Sequence, residues 1–195
     1  MRLAEYSRGR SRLQRVALWL TRRAGAELDD VAKVSMRRPT FFGRPFLALV
    51  DEVLRGESVW SAGEREFFAG VVSGANQCGF CVGTHAEIAR LELGGVTDAS
   101  WKDGRYGEKV TATANLLEAL THEPDSIPHS QLASVRSAGV DHAALIDALY
   151  VAFVFNVINR IADALDFRYR SERDRLRGAR ILRHNGYRLP GWLLR

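Results

Sequence analysis

A chain of 195 residues, 46% hydrophobic and 26% charged, has the composition of an ordinary globular protein and the length of one domain with a substantial core, rather than two. No apolar run approaches the roughly 18 residues of a membrane span, and the longest early run, Val16 to Leu20, leads into Thr21, Arg22 and Arg23 rather than a cleavage site, so a cytoplasmic protein is expected. The net charge of +5 is uneven: residues 1–23 and 168–195 hold 16 Lys plus Arg against 3 Asp plus Glu, whereas 24–167 carry a balance of −8, so the basic character belongs to the ends.

Leu13, Val16, Ala17 and Leu20 recur at helical spacing with arginines on the other side, which predicts an amphipathic helix over 10–24. A short helix from Asp29 to Met36 is expected to stop at Arg37, Arg38 and Pro39. Phe41, Phe42, Gly43, Arg44 and Pro45 form an aromatic connector expected to pack on the core, with the lining of a substrate pocket as the alternative. Phe46 to Leu54 repeats apolar residues at helix period and ends at Gly56. Ser61 with Glu64 three residues on forms a capping box that starts a helix running to about Ala75. A turn over Ser73, Gly74, Ala75 and Asn76 leads to a helix that ends at Leu93, closed by Gly94 and Gly95, which accept a left-handed C-cap.

The second half predicts helices over Tyr106 to Leu120, Gln131 to Ala138, and Ala143 to Val154 or beyond, the last capped by Asp141, with a loop over His122 to Pro128. An arginine-rich helix, Arg168 to Arg183, and a short tail complete the chain. No strand-like alternation stands out, so the expected class is all-α. Asn156 and Val151 stand 80 residues after Asn76 and Val71, which suggests a decayed internal duplication with Ile158, Ile161 and Leu165 where the first copy has Cys78, Cys81 and His85.

The chemistry concentrates between Glu66 and His85, in EFFAGVVSGANQCGFCVGTH, which contains both cysteines of the chain. With Gly79 onward helical, Cys78, Cys81 and His85 share one face, and Cys81 and His85 are an i, i+4 pair. Two sulfurs three positions apart in a first helical turn come within the Cα separation a disulfide tolerates. Glu66 lies about as far above the turn on one helix as His85 does on the next, so an antiparallel hairpin sets carboxylate and imidazole level. Glu66 can then orient His85 while His85 draws the proton from Cys81.

A lone CxxC also serves metals and thioredoxin-like folds. Glu66, eleven residues, Cys78, two residues, Cys81, three residues and His85 is more specific, and it resembles the alkylhydroperoxidase D core of the carboxymuconolactone decarboxylase superfamily. The tail Phe155 to Phe167 is similar to longer, peroxidase-related members. The resemblance covers about residues 40–167 and implies an all-α, AhpD-like helical fold; with the basic helical extensions over 1–25 and 168–195, the chain reads as a single domain over 1–195. The resemblance further implies a homo-oligomer and a peroxidase with Cys81, Cys78, His85 and Glu66 as catalytic residues. Small organic hydroperoxides would be the substrates, and an external dithiol reductant or redox adaptor protein would restore the pair. No cofactor or metal beyond that redox-active pair is implied. One departure is that Gly79 and Phe80 stand between the cysteines where the namesake peroxidase carries a histidine, so any second proton relay through that position is absent.

The alternatives are a zinc-binding protein using Cys78, Cys81, His85 and Glu66 as ligands, a non-enzymatic thiol redox sensor, and a pair of buried cysteines without chemistry. Lactone decarboxylation is disfavoured because it needs no CxxC. His122, His129, His142 and His184 are expected on the surface or in loops, with His129 the one to revisit. Asn156, Asn159, Arg160 and Asp163 are expected to make buried hydrogen bonds or subunit contacts. The basic ends show no zinc-finger or heptad pattern, so no specific nucleic-acid partner is assigned and only a salt-sensitive association with DNA or anionic lipid is entertained.

Overall fold

The computed structural model describes residues 2, 5, 8–23, 28–94 and 106–194. Among these residues the chain forms nine α-helices and no strand, as the all-α reading expects. In order they are α1 (Arg12–Arg23), α2 (Asp30–Arg37), α3 (Leu47–Arg55), α4 (Ala62–Ala75), α5 (Gly79–Glu92), α6 (Glu108–His122), α7 (His129–Ser137), α8 (His142–Leu165) and α9 (Glu172–Asn185). Contacts gather the chain into two compact units, Met1–Glu52 with Ile161–Arg195, and Val53–Arg160.

In the first unit α1 turns an unexpected side inward. Leu18 packs with Met36 and Leu193, and Ala17 of the predicted stripe lies against them, while Leu13, Val16 and Leu20 remain more than half exposed. The reason is Gln14, whose buried carboxamide donates to the carbonyls of Leu193 at 2.8 Å and Met36 at 3.3 Å and so fixes the helix's rotation. Asp29 caps α2 by accepting the Ala32 N–H at 2.7 Å. The aromatic connector is itself wound, as a π-helical segment at Pro39–Phe46. The Arg38 carbonyl gathers the N–H groups of Phe41, Phe42 and Gly43 there. Phe42 is buried and stacks on Phe46 at 4.7 Å, whereas Phe41 is 80% exposed. Asp51 holds the returning C-terminal segment through the Tyr187 N–H at 2.8 Å and Arg188 Nε at 2.7 Å. Ser171 caps α9, and Gly186 ends it at φ +69°.

The second unit is built on the α4–α5 hairpin. The capping box at its start is complete: Glu64 N–H donates to Ser61 Oγ at 3.2 Å and Ser61 N–H to Glu64 Oε2 at 2.7 Å. Gly63 lets the two helices close up, since a Cβ there would stand 2.9 Å from Glu92 Cβ and 2.8 Å from Leu93 Cδ2. Gly94 takes the left-handed conformation expected of it, at φ +79°, and Gly95 lies outside the described residues. His122 is the last residue of α6, and Pro124–Ser126 forms a 3-10 turn within the expected loop. α7 starts two residues earlier than predicted and stops before Gly139, at φ +83°.

Helix α8, capped by Asp141 on the Ala144 N–H at 2.8 Å, runs well past Val154. Trp60 Nε1 donates to its Ala144 carbonyl at 2.7 Å. By length and composition α8 meets the requirement for a membrane span, with mean hydropathy 1.6 over 18 residues, which corrects the expectation that no stretch comes close. The helix holds no unbroken apolar run of that length, because Asp147, Asn156 and Asn159 interrupt it without lowering its average much. Of that window 44% is buried in protein, and the core helix of a globular domain passes the same test.

Candidate active site

Cys78 ends the α4–α5 turn as the N-cap of α5. Its N–H donates to the Ser73 carbonyl at 2.9 Å, and its own carbonyl accepts from Val82 N–H at 3.0 Å. Cys81 is the third residue of α5, in the first turn, where the helix dipole favours a negative charge. One turn further along lies His85. Cys78, Cys81 and His85 are all buried.

Glu66 faces this helix from α4 and is fully buried. Its Oε2 lies 2.6 Å from His85 Nδ1, so the hairpin brings carboxylate and imidazole level as the residue count predicts. Its Oε1 lies 2.5 Å from Arg55 Nη2. A buried carboxylate thus meets a guanidinium on one side and an imidazole on the other. Arg55 comes from the end of α3 and escaped the sequence reading, because nothing in residues 47–55 announces a partner eleven positions on. Arg65 holds that segment in place, donating from Nη1 to the carbonyls of Val53 and Gly56, each at 3.0 Å. Phe155 of α8 sets its ring edge-on to the His85 imidazole, centroids 4.5 Å apart, closing the ring in on a second side.

Two solved structures share this architecture. One is an uncharacterized peroxidase-related protein from Silicibacter sp. TM1040, 21% identical, with TM-score 0.68 over 84% of this chain and 88% of that one. The other is an alkylhydroperoxidase AhpD core, an uncharacterized peroxidase-related protein from Ralstonia eutropha JMP134, 22% identical, with TM-score 0.68 over 87% of this chain and 90% of that one. The fold is AhpD-like. No protein-family model and no curated protein matches the chain.

Within this AhpD-like fold, the remaining sequence candidates separate. His122, His129, His142 and His184 are all exposed. The polar group on α8 divides: Asn159 is fully buried and Asn156 half-buried, while Arg160 and Asp163 are exposed. Among the described residues no group of three or more His, Cys, Asp or Glu side chains could hold a metal ion. The four-ligand zinc set therefore has no common centre, with Glu66 engaged by Arg55 and His85 at its two oxygens.

Proposed function

We propose that the protein is a thiol-dependent peroxidase that reduces small organic hydroperoxides through a Cys78/Cys81 dithiol–disulfide cycle. The observation that carries this reading is the buried 2.6 Å contact between Glu66 and His85, one turn from Cys81 on the cysteine-bearing helix. Arg55 balances the Glu66 carboxylate, so His85 can donate Nδ1–H to Glu66 as a neutral ring and keep the Nε2 lone pair as a base. His85 removes the Cys81 proton, and the α5 N-terminus favours the thiolate. The sulfur attacks the terminal peroxide oxygen: an S–O bond forms, the O–O bond breaks, and the leaving alkoxide takes the proton from His85 to depart as alcohol. Cys81 is now a sulfenic acid, oxidised by the two electrons that reduced the peroxide. Cys78 attacks it, forming the S–S bond and releasing water, and an external dithiol returns the pair to thiols by exchange.

The reading carries with it a homo-oligomer and a cytoplasmic setting that supplies the reductant. Exposed Tyr150, Phe153 and Val157, a row at helical spacing on α8, support the first of these. The test is a thiol titration of reduced, chelator-treated protein before and after one equivalent of cumene hydroperoxide, with mass analysis. Loss of two thiols and a mass decrease of about two protons is expected from disulfide formation. Two thiols surviving untouched would contradict the proposal.

A further inference from the structure

We infer that an amide network anchored on α8 positions the dithiol: Asn159, with Asn76, Asn156 and Ser73, holds the turn that presents Cys78 and thereby sets how readily the Cys78–Cys81 disulfide forms. The inference rests on the dithiol–disulfide reading in one respect, that these two sulfurs join.

Helix α4 ends in a left-handed residue that is neither glycine nor asparagine, Gln77 at φ +59°, so the turn is held at some local cost. Asn76 supplies the hold from one side, its Nδ2 donating to Asn156 Oδ1 and to Asn159 Oδ1, each at 3.0 Å. Asn159 returns the contact from Nδ2 to Ser73 Oγ at 3.1 Å. Asn156 is oriented in turn by donating to the Ala152 carbonyl at 3.0 Å and to Thr121 Oγ1 at 3.5 Å. Ser73 joins the network to the cysteine, because its carbonyl accepts the Cys78 N–H at 2.9 Å.

Asn159 and Ser73 are fully buried, and burying an amide in an otherwise apolar stretch is unfavourable unless its donors and acceptors find partners. Both partners seen for Asn159, Ser73 and Asn76, lie in the five residues 73–77 that lead into Cys78. The network therefore fixes one turn and, through it, one sulfur. Cys81 already rides on the rigid first turn of α5. Fixing Cys78 as well raises the effective concentration of each thiol at the other, within the Cα separation a disulfide accepts. Loosening the turn lowers that concentration and makes the disulfide easier to reduce.

Redox titration against glutathione reads this without any peroxide. Glutathione disulfide takes an electron pair from the dithiol: its S–S bond breaks as the Cys78–Cys81 bond forms, and the two thiol protons pass to the two glutathione thiols released. The fraction oxidised, trapped by alkylation and weighed by mass, gives the equilibrium constant. Asn159→Ala and Asn76→Ala are expected to shift it toward the dithiol about tenfold, equivalent to about 30 mV for this two-electron couple. Val135→Ala, a core truncation in α7, is the control for lost stability alone and is expected to leave the constant unchanged. Folded Asn159→Ala or Asn76→Ala with the wild-type constant, or with a shift no larger than that of Val135→Ala, would overturn the inference. Should Asn159→Ala fail to fold, Asn76→Ala, at a half-buried position, decides the matter. Wild-type protein that forms no disulfide at any glutathione ratio would end both this inference and the peroxidase reading. Wild-type protein that forms the disulfide but leaves hydroperoxide intact would end the peroxidase reading alone.

Discussion

Replacing Arg55 by methionine keeps the length of the side chain and deletes the charge that faces Glu66. The carboxylate is fully buried and the guanidinium, 19% exposed, stands 2.5 Å from it. With charge centres about 4 Å apart and an effective dielectric of about 20, the attraction is about 4 kcal/mol. Breaking buried pairs by removing one partner costs about 3–5 kcal/mol, because the other charge is left uncompensated. His85 still faces the second oxygen and offsets part of that, so a loss of about 3 kcal/mol at neutral pH is expected. Urea unfolding of wild type, Arg55→Met, Glu66→Gln and the double variant gives the coupling directly. The double variant is expected to lose less than the sum of the two single variants by at least about 1.5 kcal/mol, since the charge Arg55 balances is then gone. A single variant within about 0.5 kcal/mol of wild type, or an additive cycle, would refute the account of Arg55.

Gly63→Ala is expected to lose about 1–3 kcal/mol, since its Cβ meets Glu92 Cβ and Leu93 at under 3 Å; an unchanged urea midpoint would mean that the hairpin is looser than described. Burial raises the Asp29 carboxyl above its usual range, against the lowering effect of the Ala32 N–H and with neighbouring Asp30 adding to the rise. A raised folded-state value means that this contribution to stability is full below the unfolded value of about 3.9 and is lost as the pH climbs through the folded one. Asn at position 29 keeps a capping oxygen without the charge, so Asp29→Asn is expected to flatten that decline in urea midpoints taken between about pH 3 and pH 8, and parallel profiles would contradict it.

What the sequence disclosed and what it withheld divide along the range of the interactions. The capping box at Ser61 and Glu64 and the left-handed Gly94 are local devices, decided within four residues, and they appear as read. The meeting of Glu66 and His85 was legible because a tight hairpin converts residue count directly into height. Arg55 was not, because its pairing depends on how α3 approaches α4, which Arg65 enforces through the Val53 and Gly56 carbonyls. Phe41 to Pro45 read as a connector after a helix stop at Pro39, yet one carbonyl, that of Arg38, gathers three N–H groups and winds the segment. For α1 only Ala17 of the stripe Leu13, Val16, Ala17 and Leu20 packs on the core, because a polar residue, Gln14, fixes the helix through two backbone carbonyls. The α8 asparagines were recognised as hydrogen-bonding residues, but their target at the turn before Cys78 follows only from the tertiary fold.

The division of labour between the cysteines is the claim on which the proposed function stands, and one comparison tests it most directly. Cys78→Ser and Cys81→Ser are each treated with one equivalent of cumene hydroperoxide and probed with a sulfenic-acid reagent followed by mass analysis. The account predicts that Cys78→Ser accumulates sulfenic acid on Cys81, with nothing left to condense with it, and that Cys81→Ser neither forms a sulfenic acid nor consumes peroxide. Peroxide consumption by Cys81→Ser at the wild-type rate would contradict it.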